Sequence, residues 1–567
     1  MTPLRIVLAA AALGSAQPVL AAPSANVALP VQLGPNARAL YQQVFAAIRA
    51  EDWATATAKL DAMPQGPLHP LARAIIFTAK SSPRVEAGAL AAVAALAPDL
   101  PQAPDLVRLA MARGAVAVPQ LPEIRQLRWL GAASRRGRAA SADEAAATAL
   151  AAQVLPLIKD DRPGEAEALL DQSAGQLSPE ALTEWQQRIA WSYYLESDDK
   201  AARALAAKAR AGSGEWAAQA DWVEGLAAWR QGDFASATDA FAATARRASD
   251  SEMVAAGHFW AARAAMAARQ PARSQPHLRQ AAHLSETFYG MLAQASLGVP
   301  AAPPAAGKSN VQTLVVRPNV RLAIALTEIG ENERADELLR WQAKIGLPAE
   351  HGGLTLLAGR LGLPATQLWL AHNGPAGAAT PVEARYPLPD NWVPEGGWRV
   401  DRALVFAHAL QESGFRSTVR SKAGAEGVMQ VLPSTAALID RRKGGAPRPL
   451  SLPAANIEYG QSYIEQLRDS YATGGLLPKV IAAYNAGPTP IERWNMTPGV
   501  ARDPLLYIES IPYWETRGYV ATVLRNYWMY QQQAGERAVS REALVQGLWP
   551  RLPETRVAGS GTAGGSR

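Results

Sequence analysis

From about Pro35 to about Gly298, apolar residues recur three and four positions apart, Ala is abundant and β-branched runs are nearly absent. That periodicity predicts helix after helix and no extended sheet. A Pro- and Ala-rich passage from Val299 to Gly307 cannot continue a helix and marks a boundary. Beyond it, Val320 to Leu339 and Gly353 to Leu370 read as further short helices, until Tyr386-Pro387-Leu388-Pro389 breaks the pattern again. The last residues, Val557 to Arg567, are a flexible tail by composition.

Within the long helical stretch one cadence is specific. Gly225-Leu226-Ala227-Ala228-Trp229, followed by Gly232-Asp233-Phe234-Ala235-Ser236-Ala237 and Phe241, has the spacing of a tetratricopeptide-like helical hairpin. Its second half, a small Ala four residues before a large apolar residue, recurs at Ala56 and Leu60, Ala166 and Leu170, and Ala335 and Leu339. Ala lets two helices approach while the larger residue fills the neighbouring groove. The uneven interval between these pairs predicts a degenerate superhelix.

Length and composition narrow the class. At 567 residues the chain exceeds one core and predicts two to four domains. Hydrophobic residues make up 49% and charged residues 19%, and no apolar run reaches the roughly 18–20 residues of a membrane span. Arg5, the apolar Ile6 to Leu13 and the small residues around Ala21 have the layout of a cleaved secretory signal. Cys is absent, which excludes disulfides, a thiolate nucleophile and a lipid-bearing cysteine. A periplasmic destination is therefore expected.

The formal charge of +6 includes no long basic block. Arg441-Arg442-Lys443 reads as a solvated loop, so nucleic-acid binding is not expected. The seven His are scattered without a metal-ligand spacing, so no metal and no cofactor is expected.

Candidate chemistry lies in the C-terminal third. Glu412 ends a helix whose Val400, Ala403, Leu404 and Ala407 share a face; the negative end of the helix dipole and apolar surroundings would both raise its pKa. A neutral carboxyl is what a general acid needs. His408 lies one helical turn earlier, where a packed or solvated ring is the commoner role. Gly424-Ala425-Glu426-Gly427-Val428-Met429-Gln430 brings backbone close to another surface and presents an amide. Ala483-Tyr484-Asn485-Ala486-Gly487 places a phenol and an amide at a helix end, and Glu509-Ser510-Ile511-Pro512 leads to aromatic faces.

These four blocks, over about Val400 to Tyr530, closely resemble the catalytic domain of soluble lytic murein transglycosylases, which is goose-lysozyme-like. The helices before them are similar in architecture to the large, ring-shaped members of that family. The resemblance implies an all-α chain with these parts: a signal peptide over 1–21, an α-superhelical domain over 22–305, a helical linker over 306–385, a lysozyme-like catalytic domain over 386–555 and a tail over 556–567. It implies Glu412 as sole catalytic acid/base, with Ser413, Met429, Gln430, Tyr484, Asn485, Glu509 and Tyr519 contacting substrate. Val428 replaces the usual Leu, and Leu410 stands where a basic residue is common.

The expected substrate is the glycan strand of peptidoglycan. Glu412 would protonate the bond between N-acetylmuramic acid and N-acetylglucosamine. It would then deprotonate the C6 hydroxyl, closing a 1,6-anhydro ring. A lysozyme-type hydrolase, with Glu426, Glu509 or Glu515 as second carboxylate, is the alternative within the enzymes. A helical-repeat scaffold that only binds glycan is the alternative outside them.

Overall fold

The protein is described here from a computed structural model that covers residues 29–300 and 311–553. The expected signal segment, most of the Pro- and Ala-rich passage and the C-terminal tail lie outside the described residues. Contacts divide the chain into two compact units, 1–121 with 315–338, and 122–314 with 339–567.

The first unit is built from the helices Pro35–Arg49, Trp53–Ala62, His69–Thr78, Ala87–Leu96, Ala103–Ala112 and Pro318–Glu328. Its interior is Tyr41, Val44, Phe45, Leu60, Leu71, Leu90 and Leu106. The buried Tyr41 hydroxyl meets His69 Nδ1 at 2.7 Å, so its polar tip is not left unpaired.

In the second unit, helices pair through tight turns from Ala145–Lys159 to Pro271–Ala282. The turn residues Asp161, Ser197, Gly232 and Arg269 all have φ between 59° and 76°. Each is followed directly by the N-cap residue of the next helix; the side chains of Asp198 and Asp233 cap theirs by accepting from Ala201 N and Ser236 N. These turns recur roughly every 36 residues, near the ~34 of a tetratricopeptide unit. The spacing is thus more even than the Ala and Leu pairs suggest, because those pairs skip hairpins. Asp199–Arg210, for example, buries Ala202, Leu205, Ala206 and Ala209 instead.

Aromatic rings fill the space between these helices. Trp222 lies edge-on to Phe241 at 5.1 Å and to Trp260 at 6.2 Å. Gly225 is required there, since a Cβ would run into the Phe241 ring. Further along, His351–Arg360 and Pro364–His372 are separated at Gly362, and Leu127–Trp129 pairs antiparallel with Asn373–Pro375.

The segment bearing the motifs comprises Arg402–Glu412, Pro433–Lys443, Pro453–Arg468, Leu477–Ala486, Pro488–Trp494, Pro504–Glu509, Trp514–Gln533 and Val539–Val545. Arg402–Glu412 packs lengthwise on Trp514–Gln533 and is buried from Ala403 through Ala409. Phe288 of the Phe288–Ser296 helix stacks on Trp528 at 5.2 Å, which joins this segment to the repeats within one core. Among the described residues no helix is long and apolar enough to cross a membrane.

Candidate active site

Asp401 caps the start of the Arg402–Glu412 helix, and Gly414 and Phe415 stop it with two consecutive left-handed residues, φ 59° and 64°. Phe415 is a costly residue for that conformation. Burial of its ring against Trp392 and Phe406 compensates. Glu412 is thereby fixed as the last residue of a rigid, buried helix.

Tyr519, from the facing helix, donates to Glu412 Oε1 at 2.5 Å. The same hydroxyl lies 2.8 Å from His408 Nδ1. Burial raises the Glu412 carboxyl to about 7; the Tyr519 hydrogen bond opposes the shift and the charge of Glu515 adds to it. The site therefore holds a half-buried acid that is protonated up to near-neutral pH.

The Gly424–Gln430 stretch forms a closed loop beside it. Glu426 and Val431 exchange both backbone hydrogen bonds at 3.0 Å, and Gly427 with φ 77° makes the turn between them. A Cβ on Gly427 would collide with Leu450 O and the Asn456 amide, so only glycine fits. Asn456, fully buried, accepts from Met429 N at 2.8 Å and donates to Glu426 O and Leu450 O at 2.9 Å. Gln430 is itself left-handed, with φ 49°, and its amide donates to Gly427 O and Val419 O.

Four of the candidate residues meet around this loop. The Ser413 hydroxyl donates to Val428 O at 2.8 Å, tying the helix end to the loop. The Tyr484 hydroxyl donates to Met429 O at 2.8 Å while its ring lies 4.6 Å from that of His408. Ser413 and the Met429 side chain are buried and half-buried Gln430 spends its amide on backbone, so these three shape the loop beside Glu412. Asn485, half-buried, accepts from Thr516 at 2.6 Å.

Glu509 is placed otherwise. It is fully buried, with Arg136 on both carboxylate oxygens at 2.7 and 3.1 Å and the Tyr289 hydroxyl on Oε1 at 2.7 Å. Burial alone would raise its pKa, but Arg136 outweighs that and holds it below the usual range. The next residue, Ser510, meets the Tyr194 hydroxyl at 2.8 Å. The expected substrate contact through Glu509 is at odds with this placement, because the whole carboxylate is spent on anchoring the motif to the helical repeats. His408, Asn456, Thr516 and Arg136 complete the arrangement without having been singled out as site residues. Only His408 carried a sequence signal, its position one turn before Glu412.

Among the described residues no group of three or more His, Asp or Glu is placed to hold a metal ion. What remains is one carboxyl of near-neutral pKa beside a rigid, polar-edged loop, an arrangement suited to acid/base chemistry.

Residues 394–503 match the family described as Transglycosylase SLT domain. The soluble lytic murein transglycosylase of Escherichia coli K12 is 31% identical over 173 residues, 29% of this chain and 26% of that one. A putative soluble lytic murein transglycosylase of Haemophilus influenzae is 34% identical over 137 residues, 23% of this chain and 22% of the relative. The chain thus aligns with about a quarter of the length of the curated relatives it matches. The crystal structure of the 70-kDa soluble lytic transglycosylase from E. coli superposes with a TM-score of 0.52 at 17% identity, over 91% of this chain and 99% of that one. A Pseudomonas aeruginosa lytic transglycosylase, an inactive mutant, does so with a TM-score of 0.51 at 19% identity, over 89% and 83%. The shared fold extends well beyond the matched domain.

Proposed function

We propose that this member of the soluble lytic murein transglycosylase family cleaves the β-1,4 bond between N-acetylmuramic acid and N-acetylglucosamine, leaving a 1,6-anhydromuramic end. The observation that carries the reading is Glu412, raised to about 7 by burial, with Tyr519 on one oxygen and, among the described residues, no cation acting on it. A group with that pKa is neutral when a glycosidic oxygen must be protonated and basic enough, once ionised, to take a proton back. Tyr519 occupies Oε1, so this reading assigns Oε2 to the sugar.

Support for a single working carboxylate comes from the other acids. Glu509 is consumed by Arg136, and Glu426 lies beside Arg420 at 3.5 Å. With Glu509 and Glu426 engaged in this way, the muramic acid C6 hydroxyl is the nucleophile in this reading, and Glu412 takes its proton as it attacks C1. Exposed Glu515, whose charge reaches Glu412, is the residue through which a hydrolase would act. In this reading 22–305, 306–385 and 386–555 serve as superhelical, linker and catalytic domains, and the segment 1–21 exports the chain to the periplasm.

Mass spectrometry of purified peptidoglycan digested by the full chain tests this. Muropeptides one water lighter than their hydrolytic counterparts are expected, from wild type and Glu515→Gln alike. Fully hydrated products would replace the reading by the hydrolase, and binding without soluble product would replace it by the scaffold.

A further inference from the structure

His408 is fully buried, one helical turn before Glu412, and nothing in the chemistry above requires a histidine there. Its Nδ1 lies 2.8 Å from the Tyr519 hydroxyl, which in turn lies 2.5 Å from Glu412 Oε1. Its other nitrogen, Nε2, is buried and has no hydrogen-bond partner among the described residues. Three groups thus form a line with two short gaps, and the phenol in the middle has one hydrogen to give.

Where the protons lie follows from counting. The ring is neutral, because burial pushes it down to about 3 and a neutral imidazole carries one N–H. Nε2 lacks a partner in either tautomer, but a buried N–H without an acceptor, costing about 1–3 kcal/mol, is a rarer fault than an unfilled lone pair. With the N–H on Nε2, Nδ1 and Oε1 would compete for the single Tyr519 hydrogen once Glu412 is ionised, and one gap would hold none. On Nδ1, each gap holds one hydrogen: Nδ1 donates to the Tyr519 oxygen, and Tyr519 donates to Glu412 Oε1.

We propose that His408 keeps its ring proton on Nδ1 and, through Tyr519, determines which oxygen of Glu412 carries the acid proton. Since Oε1 always accepts from Tyr519, the proton of the neutral acid resides on Oε2, facing the substrate. Donation from Oε2 to the leaving oxygen then needs no rotation and no movement of the other two protons. When Glu412 becomes a carboxylate, the same Tyr519 hydrogen is already in place to stabilise it. His408 is a positioning residue in this scheme, not a proton donor. The titratable groups around the ring are Tyr519 from Trp514–Gln533, with Glu412 beyond it, Tyr484 from Leu477–Ala486 and Tyr463 behind Tyr484 from Pro453–Arg468; Glu515 acts on Glu412. Burial raises all three of these phenols, so they stay protonated.

The inference rests on Glu412 as proton donor, yet its first test needs no turnover. Long-range nitrogen–proton correlation spectra of the full chain, labelled in histidine and assigned with His408→Asn, are expected to show Nδ1–H for His408 between about pH 5 and pH 9. An Nε2–H tautomer or an imidazolium would overturn it. The second test compares His408→Leu with His408→Asn, whose amide can place a donor near the original Nδ1. His408→Leu is expected to lower kcat roughly ten- to a hundredfold with KM nearly unchanged, and to move the alkaline limb of the pH profile upward. His408→Asn should restore most of both.

Equal losses in the two variants with an unmoved alkaline limb would reduce His408 to packing and defeat the proposal. Should His408→Leu fail to fold, the wild-type tautomer decides. An Nδ1–H ring in a chain that releases no anhydro product would remove the proposed function but leave the proton assignment standing.

Discussion

Sheltered acids in the helical repeats and Glu412 in the motif-bearing segment are handled in opposite ways. In the repeats each is matched to an arginine: Glu184 to Arg188 at 2.7 Å, Glu224 to Arg203 at 3.0 Å, and Asp221 to both Arg210 and Arg247. Glu412 instead meets a phenol with a neutral imidazole beyond it, and among the described residues it forms no ion pair. The left-handed residues differ likewise. At Asp161, Ser197 and Gly232 they close solvent-facing turns, whereas Phe415 and Gln430 hold bulky side chains in that conformation beside the acid. Neutralisation and relaxed turns serve stability; an unpaired acid and strained backbone are what a reactive site retains.

The largest test of the contrast removes the acid. Glu412→Gln is expected to cut release of anhydro-muropeptides roughly 10²–10⁴-fold, the usual worth of general acid/base catalysis, in a chain that still folds. Unaltered release would break the comparison outright.

Next in size is Glu509, which by sequence belongs to the site and by contact to the repeats. Glu509→Ala leaves Arg136 and Arg517 unmatched in the core, so a loss of about 3–5 kcal/mol in denaturant unfolding is expected. A stable Glu509→Ala protein with a raised KM would return the residue to the substrate.

The third test turns Glu412 into a stability probe. Its folded pKa, about 7, lies above its ordinary 4.5, so the native state binds the extra proton between those values and stability falls as pH rises through that window. Glu412→Gln removes that cost. Above pH 7 it should be more stable than wild type by on the order of 1–3 kcal/mol, a gain that vanishes below about pH 4.5. Parallel unfolding curves at both pH values would show no such cost and so no unpaired acid.

The smallest effects sharpen the backbone contrast. Ser197→Gly, in a repeat turn, is expected to be neutral or stabilising by up to about 1 kcal/mol, since glycine accepts φ 65° freely. Gln430→Gly relieves the same strain but deletes two amide hydrogen bonds that close the loop, so a net loss of about 1 kcal/mol is expected from thermal unfolding.

The sequence carries local features well and long-range partners poorly. The hairpin at Gly232 and the helix ending at Glu412 follow from periodicity, glycine placement and capping residues. The Tyr484 and Asn485 helix end is equally visible, because Gly487 and a proline stop the helix. The match of Arg136 to Glu509 was not legible, since it joins residues far apart in the chain through a fold that periodicity does not specify. Asn456 was invisible for another reason: within Pro453–Arg468 it looks like any polar helix residue until the loop it pins is placed against it. Even the repeat spacing was hidden, because left-handed turns at Asp161, Ser197 and Arg269 lack the glycine that marks such positions.

A direct titration of the Glu412 side-chain carboxyl by carbon NMR, assigned against Glu412→Gln, bears most closely on the whole account. A midpoint near 7 is predicted, with Tyr519→Phe moving it higher. A midpoint near the ordinary 4.5 would contradict it, because the group would be ionised before any substrate arrived.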